Sequence, residues 1–270
     1  MEAVVGISAM SIAGVATRIS LLNASVDARF FTNSSQISVN LFGSFLIGFF
    51  WGYPTLEAAL PHTYTSLAVG FCGSLTTFSS WIYAIMKPQS DWSAELLTGL
   101  SIPFIGFLLG RDLAALCGSV CGSKESLKWV DRGIVSSFAV AVLCAMVTVS
   151  ITAPPNISGE ELASCAVGPL GALTRWILSK LLNGRLLQHF MLGTLLSNLI
   201  AVILVGSLTS CRDTHDWCEY GVIGIAGSLS TVSSWVLDTF KIYPKSPWWA
   251  YLYCLSTVGL GLAIMAPFVR

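Results

Sequence analysis

The sequence predicts an all-α integral membrane protein, in which two inverted four-helix units are joined by one connecting transmembrane helix. Three observations predict this architecture: an apolar composition, nine apolar runs of membrane-spanning length, and an internal repeat. The 270 residues are 54% hydrophobic and only 10% charged, with a mean hydropathy of +0.74. Soluble domains carry about a quarter charged residues. The composition therefore disfavours a soluble globule and a disordered chain, and the zero net charge gives no sign of a nucleic-acid partner.

The apolar runs divide the chain into nine predicted spans. A spanning helix needs about 20 apolar residues, and the runs lie at 3–22, 37–52, 65–86, 94–110, 133–152, 163–182, 190–209, 220–240 and 249–269. The first run follows no basic segment, so we interpret it as a span rather than as a cleaved signal. The second run is short and rich in glycine, which favours close helix packing. We expect an N-terminal unit over residues 1–110, a loop and connecting helix over 111–162, and a C-terminal unit over 163–270.

The repeat consists of three sequence blocks that return in the same order about 155 residues later. The pairs are Gly14-Val-Ala-Thr-Arg18 with Gly171-Ala-Leu-Thr-Arg175, Asn40 with Asn198, and Gly73-Ser-Leu-Thr-Thr-Phe-Ser-Ser-Trp81 with Gly227-Ser-Leu-Ser-Thr-Val-Ser-Ser-Trp235. Each repeat holds four spans, and a single span at 133–152 separates them. An odd connecting helix forces the two units into opposite orientations. This inverted repeat is typical of transport proteins, whose pathways form where the halves meet near the membrane midplane.

Hydroxyl side chains are concentrated in the third span. Five of them fall within seven residues: Ser74, Thr76, Thr77, Ser79 and Ser80. Serine and threonine in membrane helices often bond only to their own backbone. Their density here, beside two glycines, instead favours a broken helix. Exposed backbone at membrane depth is tolerated only when it is buried in protein or lines a pathway.

Paired amides and arginines accompany these hydroxyls. A lone intramembrane asparagine commonly joins helices, but Asn40 and Asn198 occupy equivalent places and are more typical of donors that face a pathway. Arg18 and Arg175 lie late in the first span of each unit, where they could simply snorkel to the interface. In an inverted topology one arginine would stand at each face of the membrane. Two such basic mouths would attract an anion from either side.

The donor chemistry indicates a small anion. No run of acidic residues offers a cation pathway, whereas hydroxyls, amides and arginines all suit an anion. The rings of Phe78, Trp81 and Trp235 lie at helical spacing from the hydroxyls, and ring edges carry the positive part of the aromatic quadrupole. Taken alone, such rings are more often packing than lining.

The loops predict the orientation of the chain in the membrane, and one loop contains two cysteines whose chemical state the sequence leaves open. Eight basic residues fall on one predicted side and four on the other, so the positive-inside rule predicts a cytosolic N-terminus and an external C-terminus. Cys211 and Cys218 share one loop on the predicted external side. They could form a disulfide if that loop is extracellular, or a metal site together with His215.

At this point the motifs resemble a known family. Gly-x-x-x-Arg in the first span, Asn in the second and Gly-x-Leu-Thr-Thr-Phe-Ser-x-aromatic in the third resemble the Fluc (CrcB) fluoride channels. The fused two-unit form is similar to the eukaryotic fluoride exporters called FEX, and the resemblance covers nearly the whole chain. It implies passive, selective conduction that exports cytosolic fluoride and confers fluoride resistance. It also implies a monomeric pseudo-dimer in membrane lipid. From the export task we expect the plasma membrane as its location.

The resemblance also implies roles for individual residues. The expected fluoride pore residues are Asn40, Thr77, Phe78, Ser79, Trp81, Ser101, Asn198, Thr231, Ser233, Trp235, Ser256 and Thr257. Asp238 stands where the family often has a glutamate, and is expected as an acid at a pore end. A structural Na+ is expected on backbone carbonyl oxygens, those of Gly73, Thr76, Gly227 and Ser230.

One departure from the family pattern predicts unequal pores. The family pairs the first phenylalanine of one unit with the second aromatic residue of the other unit. Here the pairs would be Phe78 with Trp235, and Val232 with Trp81. Valine offers no ring edge, so we expect the Phe78/Trp235 pore to conduct and the other to be weakened or lost.

Other functions remain open from the residues alone. A carrier for another small solute would share the inverted repeat, although cation carriers generally need an embedded carboxylate and only Asp238 approaches one. A non-transporting structural protein would explain the glycine-rich spans but not the paired motifs. An enzyme is not expected, because His62, His189 and His215 lie in loops or at span edges without a convergent nucleophile.

Overall fold

The computed structural model describes residues 1–25, 36–88, 90–117, 127–152, 157–185, 187, 190–212 and 214–269. Within these ranges all regular secondary structure is helical. His189 lies outside the described ranges, as do three of the basic residues counted for the predicted orientation, Arg29, Lys124 and Arg270.

Nine spanning helices make up the described chain, one for each predicted span. They are α1 Glu2–Ser25, α2 Gln36–Trp51, α3 Pro61–Met86, α4 Trp92–Cys117, α5 Leu127–Thr152, α6 Gly159–Leu182, α7 Leu192–Thr209, α8 Asp216–Ile242 and α9 Pro247–Met265. Eight of these have the length and hydropathy to cross a membrane, and α2 is a shorter apolar helix. A short helix, Pro54–Ala59, precedes α3. The predicted all-α membrane fold is therefore confirmed.

Helices α3 and α8 are broken in the same way. The helical segments of α3 are Pro61–Thr65, the π-helical Ser66–Cys72, Gly73–Leu75 and Phe78–Met86, and those of α8 are Asp216–Tyr220, the π-helical Gly221–Ala226, Gly227–Leu229 and Ser233–Ile242. We call the last segments α3b and α8b, and the parts before the breaks α3a and α8a. The backbone is extended at Thr76 (φ −86°, ψ 151°) and at Ser230 (φ −84°, ψ 153°). The break predicted from the hydroxyl-rich block is confirmed, and π-helical turns of this kind are frequent at functional sites.

The two units are antiparallel, as contacts between their first helices show. Near one end, Asn23 Nδ2 of α1 donates to Glu161 Oε1 of α6 over 3.0 Å. Closer to the helix middles, a Cβ placed on Gly168 would lie 2.9 Å from Val15 Cγ2. Residue numbers rise along α1 as they fall along α6, so these equivalent helices run in opposite directions. The inverted arrangement therefore matches the prediction.

The connecting helix α5 lies at the edge of the first unit. It packs on α1 and on the first segment of α3, and its apolar face, including Leu143 and Ile151, is exposed. Asp131 anchors it, because the buried carboxylate accepts hydrogen bonds from His62 N (3.0 Å), Thr63 N (2.8 Å) and Thr63 Oγ1 (2.6 Å). The carboxylate thus caps the N-terminal end of α3 from a neighbouring helix.

Small residues let α2 and α4 pack closely. A Cβ on Gly48 would overlap the Phe107 carbonyl, a Cβ on Gly110 would overlap the Phe45 carbonyl, and one on Gly106 would lie 2.8 Å from Leu41 O. Without a hydrophobic driving force in lipid, such close backbone approach is what holds membrane helices together. The glycine-rich packing predicted for the second span is therefore present.

Exposed tryptophans mark the two ends of the bundle. Trp92 and Trp217 lie at the starts of α4 and α8, and Trp129 and Trp248 lie at the starts of α5 and α9. In an alternating bundle these two pairs belong to opposite faces. Tryptophan is enriched at membrane–water interfaces, so the pairs indicate where the apolar slab ends.

A disulfide joins the loop between α7 and α8. Cys211 and Cys218 are bonded, with their Cα atoms 6.0 Å apart. Of the two alternatives for these cysteines, the structure therefore has the disulfide. Among the described residues no group of histidine, cysteine and acidic side chains could hold a metal ion. Arg212 and Glu219, the neighbours of the two cysteines, pair through Nη2 and Oε1 at 2.7 Å.

Candidate functional site

The two helix breaks meet between the units and join their hydroxyl groups. Thr76 Oγ1 lies 3.2 Å from Thr231 Oγ1 and 3.0 Å from Ser233 Oγ. In the matching half, Ser230 Oγ lies 3.2 Å from Thr77 Oγ1 and 2.9 Å from Ser79 Oγ. All of these side chains are buried. The hydroxyl residues predicted from both repeats are thus brought together in two matching groups of three, each with members from both units.

Asn40 and Asn198 hold the extended backbone of the two breaks. Asn40 Oδ1 accepts from Thr77 N at 2.9 Å, and its Nδ2 donates to Thr77 O at 3.3 Å. Asn198 makes the same pair with Thr231, at 2.8 and 3.2 Å. Each carboxamide therefore replaces two hydrogen bonds that the broken helix has lost. In these contacts each asparagine donates one Nδ2 hydrogen, and its second Nδ2 hydrogen is left for another acceptor.

Arg18 and Arg175 bind carbonyl groups that the broken helices leave open, and each reaches into both units. Arg18 donates to Ser74 O at 2.8 Å within its own unit and to Ile223 O in the other. Arg175 donates to Ser228 O at 3.1 Å and, across the interface, to Val69 O at 2.8 Å. Both arginines are only 2% exposed.

The expectation of two basic mouths is met only in part, because Arg18 lines the cavity described below and Arg175 does not. Their donors are directed at interior carbonyls, since each guanidinium lies against a glycine beside a break. A Cβ on Gly73 would overlap Arg175, and a Cβ on Gly227 would overlap Arg18. The long side chains therefore reach inwards from the first and sixth helices, and the fixed positive charges stand beside the hydroxyl cluster.

Three buried aromatic rings form a second cluster beside the hydroxyls. Phe78 lies edge-on to Trp81 (5.7 Å between ring centroids) and to Trp235 (6.0 Å), and the two tryptophan rings are 6.3 Å apart. All three side chains are fully buried. Phe104 of α4, which the sequence did not single out, meets Trp235 at 5.5 Å and 87°. Its only sequence signal was an aromatic residue one turn beyond the hydroxyl of Ser101.

The three fourth-span hydroxyl residues differ in their burial. Ser101 is exposed on the outside of α4, and Ser256 is half-buried on α9. Thr257 is buried, but its hydroxyl donates to Tyr253 O at 2.6 Å within its own helix. Ser101 therefore lies away from the shared interface, whereas Thr257 is buried one turn before Gly261, where an added Cβ would lie 3.0 Å from Phe78.

Asp238 is buried at the far end of α8b. Thr194 Oγ1 donates to Asp238 Oδ2 at 2.6 Å, and Asn183 Oδ1 accepts from Gly193 N at 2.7 Å next to it. The equivalent residue of the first unit is Ala84, which lines a cavity instead. The two ends of the molecule therefore differ in chemistry.

That cavity has a volume of about 670 Å³ and lies between the units at the predicted external ends of α1, α3, α6 and α7. Ser80 and Ala84 of α3b form part of its wall, together with Arg18. Its charged lining residues are three basic side chains and four acidic ones: Arg18, Lys87, Arg212, Glu95, Glu160, Glu161 and Glu219. This vestibule is thus polar and of mixed charge, which again differs from a basic mouth.

Main-chain oxygens at the breaks have the chemistry of a cation site. Thr76 O and Ser230 O accept no hydrogen bond among those between described residues. The extended conformation of both residues turns these carbonyls out of the helical pattern. Hard cations such as Na+ take oxygen ligands of this kind. Two of the four expected ligands, Thr76 O and Ser230 O, therefore have the chemistry that the expected ion needs.

Comparison with known sequences matches both units to one family. The family described as CrcB-like protein, Camphor Resistance (CrcB), matches residues 5–119 and 162–267. The chain belongs to this family. The two matched ranges contain the four-helix units, and α5 lies between them. No solved structure matches the chain.

Curated relatives of both single-unit and longer form are similar to the chain. Fluoride export protein 1 of Neurospora crassa is 27% identical over 263 residues, which cover 78% of this chain and 48% of that protein. Fluoride export protein 1 of Candida albicans is 24% identical and covers 70% of this chain and 57% of that protein. Fluoride-specific ion channel FluC 2 of Synechococcus sp. (strain CC9605) is 42% identical, over 31% of this chain and 67% of its own length. The chain thus spans about half the length of the Neurospora relative.

Proposed function

We propose that this CrcB-family chain is a passive, selective fluoride channel that exports fluoride from the cytosol. The observation that carries the proposal is the buried meeting of two helix breaks, where hydroxyls of both units lie beside edge-on aromatic rings. The names of the relatives, which are fluoride export proteins and fluoride-specific ion channels, agree with it. No covalent chemistry is required of the site.

The chemistry of the donors explains how fluoride could replace water inside the protein. Fluoride is small and strongly hydrated, so it enters only where closely spaced donors substitute for its hydration shell. The hydroxyl cluster and the second Nδ2 hydrogens of Asn40 and Asn198 supply such donors. The edges of Phe78 and Trp235 add weaker positive potential. Arg18 and Arg175 hold the breaks open and place fixed positive charge close by.

The two pathways of the inverted pair are unequal in this proposal. The Phe78/Trp235 contact has its equivalent in Val232 and Trp81, and valine contributes no ring edge. The conducting pore is therefore assigned to Phe78 and Trp235, and the Val232/Trp81 pathway is weak or inactive. Asp238 would act as the acid at one pore end.

Export follows from membrane physics without an energy source. Acidic surroundings produce HF, which permeates the membrane and ionises in neutral cytosol. A negative interior then drives the anion outward, by about 2.3 kcal/mol per charge for each 100 mV. This task suits a plasma-membrane protein that functions as a monomeric pseudo-dimer with a cytosolic N-terminus. Membrane lipid is then the partner that surrounds it.

A structural Na+ would be held by backbone carbonyls of Gly73, Thr76, Gly227 and Ser230. Its positive charge would fix the two breaks against each other. Because only main-chain oxygens are involved, serine in place of threonine at 230 does not alter the ligand set.

The test is fluoride efflux from liposomes that contain purified protein, measured with a fluoride electrode and with chloride efflux in parallel. We expect fast fluoride release that chloride does not match. Phe78→Ala should abolish it, and Trp81→Ala should spare it. The reverse pattern would contradict the assignment of the pore. A folded protein that releases no fluoride would contradict the channel itself.

A further inference from the structure

The second unit carries an excess of positive charge at the end of the bundle where α6 and α8 finish. Its basic residues there are Lys180, Arg185, Lys241 and Lys245, and all four side chains are exposed. Residues 162–212 and 239–270 contain no aspartate or glutamate, so the acid at this end is Asp238 alone, and Asp238 is buried. The ion pairs between described residues include none of the four basic side chains. We call these four residues the basic surface.

The same end of the first unit and of α5 has no such excess. Its described charged residues are three basic and four acidic ones: Arg111, Lys128, Arg132, Glu2, Glu57, Asp112 and Asp131. Arg111 Nη2 lies 2.7 Å from Asp112 Oδ1, and Arg132 Nε lies 3.2 Å from Glu2 Oε1. The positive-inside rule accounts for basic residues on this face. It does not account for their concentration, without counter-charges, on one unit.

Hydrogen bonds join the two chain segments that carry the basic surface. Asn183 lies between the two basic residues that follow one another at the end of α6, and its Nδ2 donates to Thr194 Oγ1 at 3.2 Å. Thr194 Oγ1 in turn donates to Asp238 Oδ2 at 2.6 Å, and Asp238 lies three residues before Lys241 on α8b. Gly184, with φ 67°, turns the chain directly after Asn183, a conformation that favours glycine. The end of α6 and the end of α8b are thus held next to each other.

Aromatic and aliphatic side chains place these cations at the boundary of the membrane. Trp248, which is 73% exposed at the start of α9, marks that boundary on this face. Lys180 Nζ lies 4.1 Å from the centroid of the Trp176 ring, one helical turn earlier, so a cation–π contact holds the ammonium group beside an indole. Leu181 and Leu187 are also exposed. Charged and apolar groups therefore lie side by side here, which suits a phospholipid better than a soluble phosphate.

We propose that the basic surface binds the headgroups of anionic phospholipids in the leaflet at this end of the second unit. This end lies on the predicted cytosolic side, and the cytoplasmic leaflet carries anionic lipids that attract basic segments close to the membrane. The four cations complement the net negative charge of such headgroups, and the exposed leucines contact the start of the acyl chains. Since the first unit lacks uncompensated positive charge, the bound lipids lie beside the second unit alone.

The test is native mass spectrometry of the purified full chain in neutral detergent micelles, titrated with dioleoylphosphatidylserine or dioleoylphosphatidylcholine. The wild type should retain phosphatidylserine more tightly than phosphatidylcholine, which has no net charge. Glycerophosphoserine, which has the same headgroup without acyl chains, should bind more weakly than phosphatidylserine. Equal affinity for the two lipids would overturn the proposal. Equal affinity for phosphatidylserine and glycerophosphoserine would indicate a soluble phosphate anion as the ligand, and would overturn the assignment to lipid.

Two double variants and one matched control locate the binding. Lys180→Gln/Arg185→Gln and Lys241→Gln/Lys245→Gln each remove two charges from the basic surface, and all four side chains are exposed, so the fold should be kept. Each basic residue near an anionic surface strengthens binding about fivefold, so each double variant should weaken phosphatidylserine binding about 25-fold. The control removes two charges from the same end of the other half and should leave binding unchanged: Arg111→Gln/Lys128→Gln.

Either double variant of the basic surface that binds phosphatidylserine as tightly as the control would overturn the proposal. Size exclusion of every variant before the titration verifies that it is folded. The measurement involves no fluoride, so its result does not depend on whether the chain conducts fluoride.

Discussion

Replacing Arg175 by lysine tests whether the buried arginines hold the two units together through the helix breaks. Arg175 donates to Ser228 O at 3.1 Å, to Val69 O at 2.8 Å and to Ser234 Oγ at 3.3 Å. Lysine keeps the charge but is a compact point donor on a flexible stem. The lysine ammonium can therefore keep a hydrogen bond to one of these acceptors and loses the hydrogen bonds to the other two. Arg18, with two acceptors in equivalent places, is the matched comparison.

The size of the effect follows from the number of bonds lost. A hydrogen bond to a charged group contributes about 1.5–3 kcal/mol when buried. Arg175→Lys loses two of three bonds and should cost about 3 kcal/mol or more. Arg18→Lys loses one of two and should cost about half as much. At about 2–4 °C per kcal/mol for a chain of this size, the melting temperatures should fall by about 10 °C and 5 °C.

The measurement is thermal unfolding in detergent, followed by tryptophan fluorescence and by recovery of the folded peak on size exclusion. Both variants should also conduct more slowly, since the breaks lose their anchors. Equal melting temperatures for wild type and Arg175→Lys would refute the reasoning. So would a larger loss for Arg18→Lys than for Arg175→Lys.

Three further changes have defined outcomes. Gly110→Val should lower the melting temperature and separate α2 from α4, because the valine side chain would overlap the Phe45 carbonyl. Gly133 has open space around it, so the control Gly133→Val should leave the melting temperature unchanged. Asp131→Ala should lower the melting temperature through loss of the α3 cap, typically about 1 kcal/mol for a single cap bond and more for three; an unchanged melting curve would contradict the capping role. Cys211→Ser should lower the melting temperature of the oxidised protein and make it insensitive to dithiothreitol, while the wild type should fall to the same value when reduced.

The helix breaks could be predicted from sequence because their cause is local. Five hydroxyls beside glycines make continuous helix a poor solution, and the repeat doubles the signal. The observed break at Thr76 and its equivalent at Ser230 follow that logic. The number of spans was equally accessible, since span length depends on apolar run length alone.

The placement of the arginines and fourth-span hydroxyls depends on partners that are remote in sequence. Arg18 sits late in its span, which suggests an interfacial position, yet its acceptor Ile223 O belongs to the broken helix of the other unit. Ser101 and Phe104 are three residues apart on α4, and only the packing of α8b decides which of them meets Trp235. Helix rotation in a bundle is set by such contacts, and one sequence does not reveal them.

The peripheral helix α5 has a consequence for how the two halves can diverge. In an assembly of two identical chains, every substitution appears twice, so both pathways must change together. Here one covalent tether, pinned to the first unit by Asp131, makes the pairing intramolecular and independent of protein concentration. A valine at 232, where the first unit has Phe78, therefore alters one half alone. Joining the units in one chain therefore lets the sequence of one half change while that of the other half is kept.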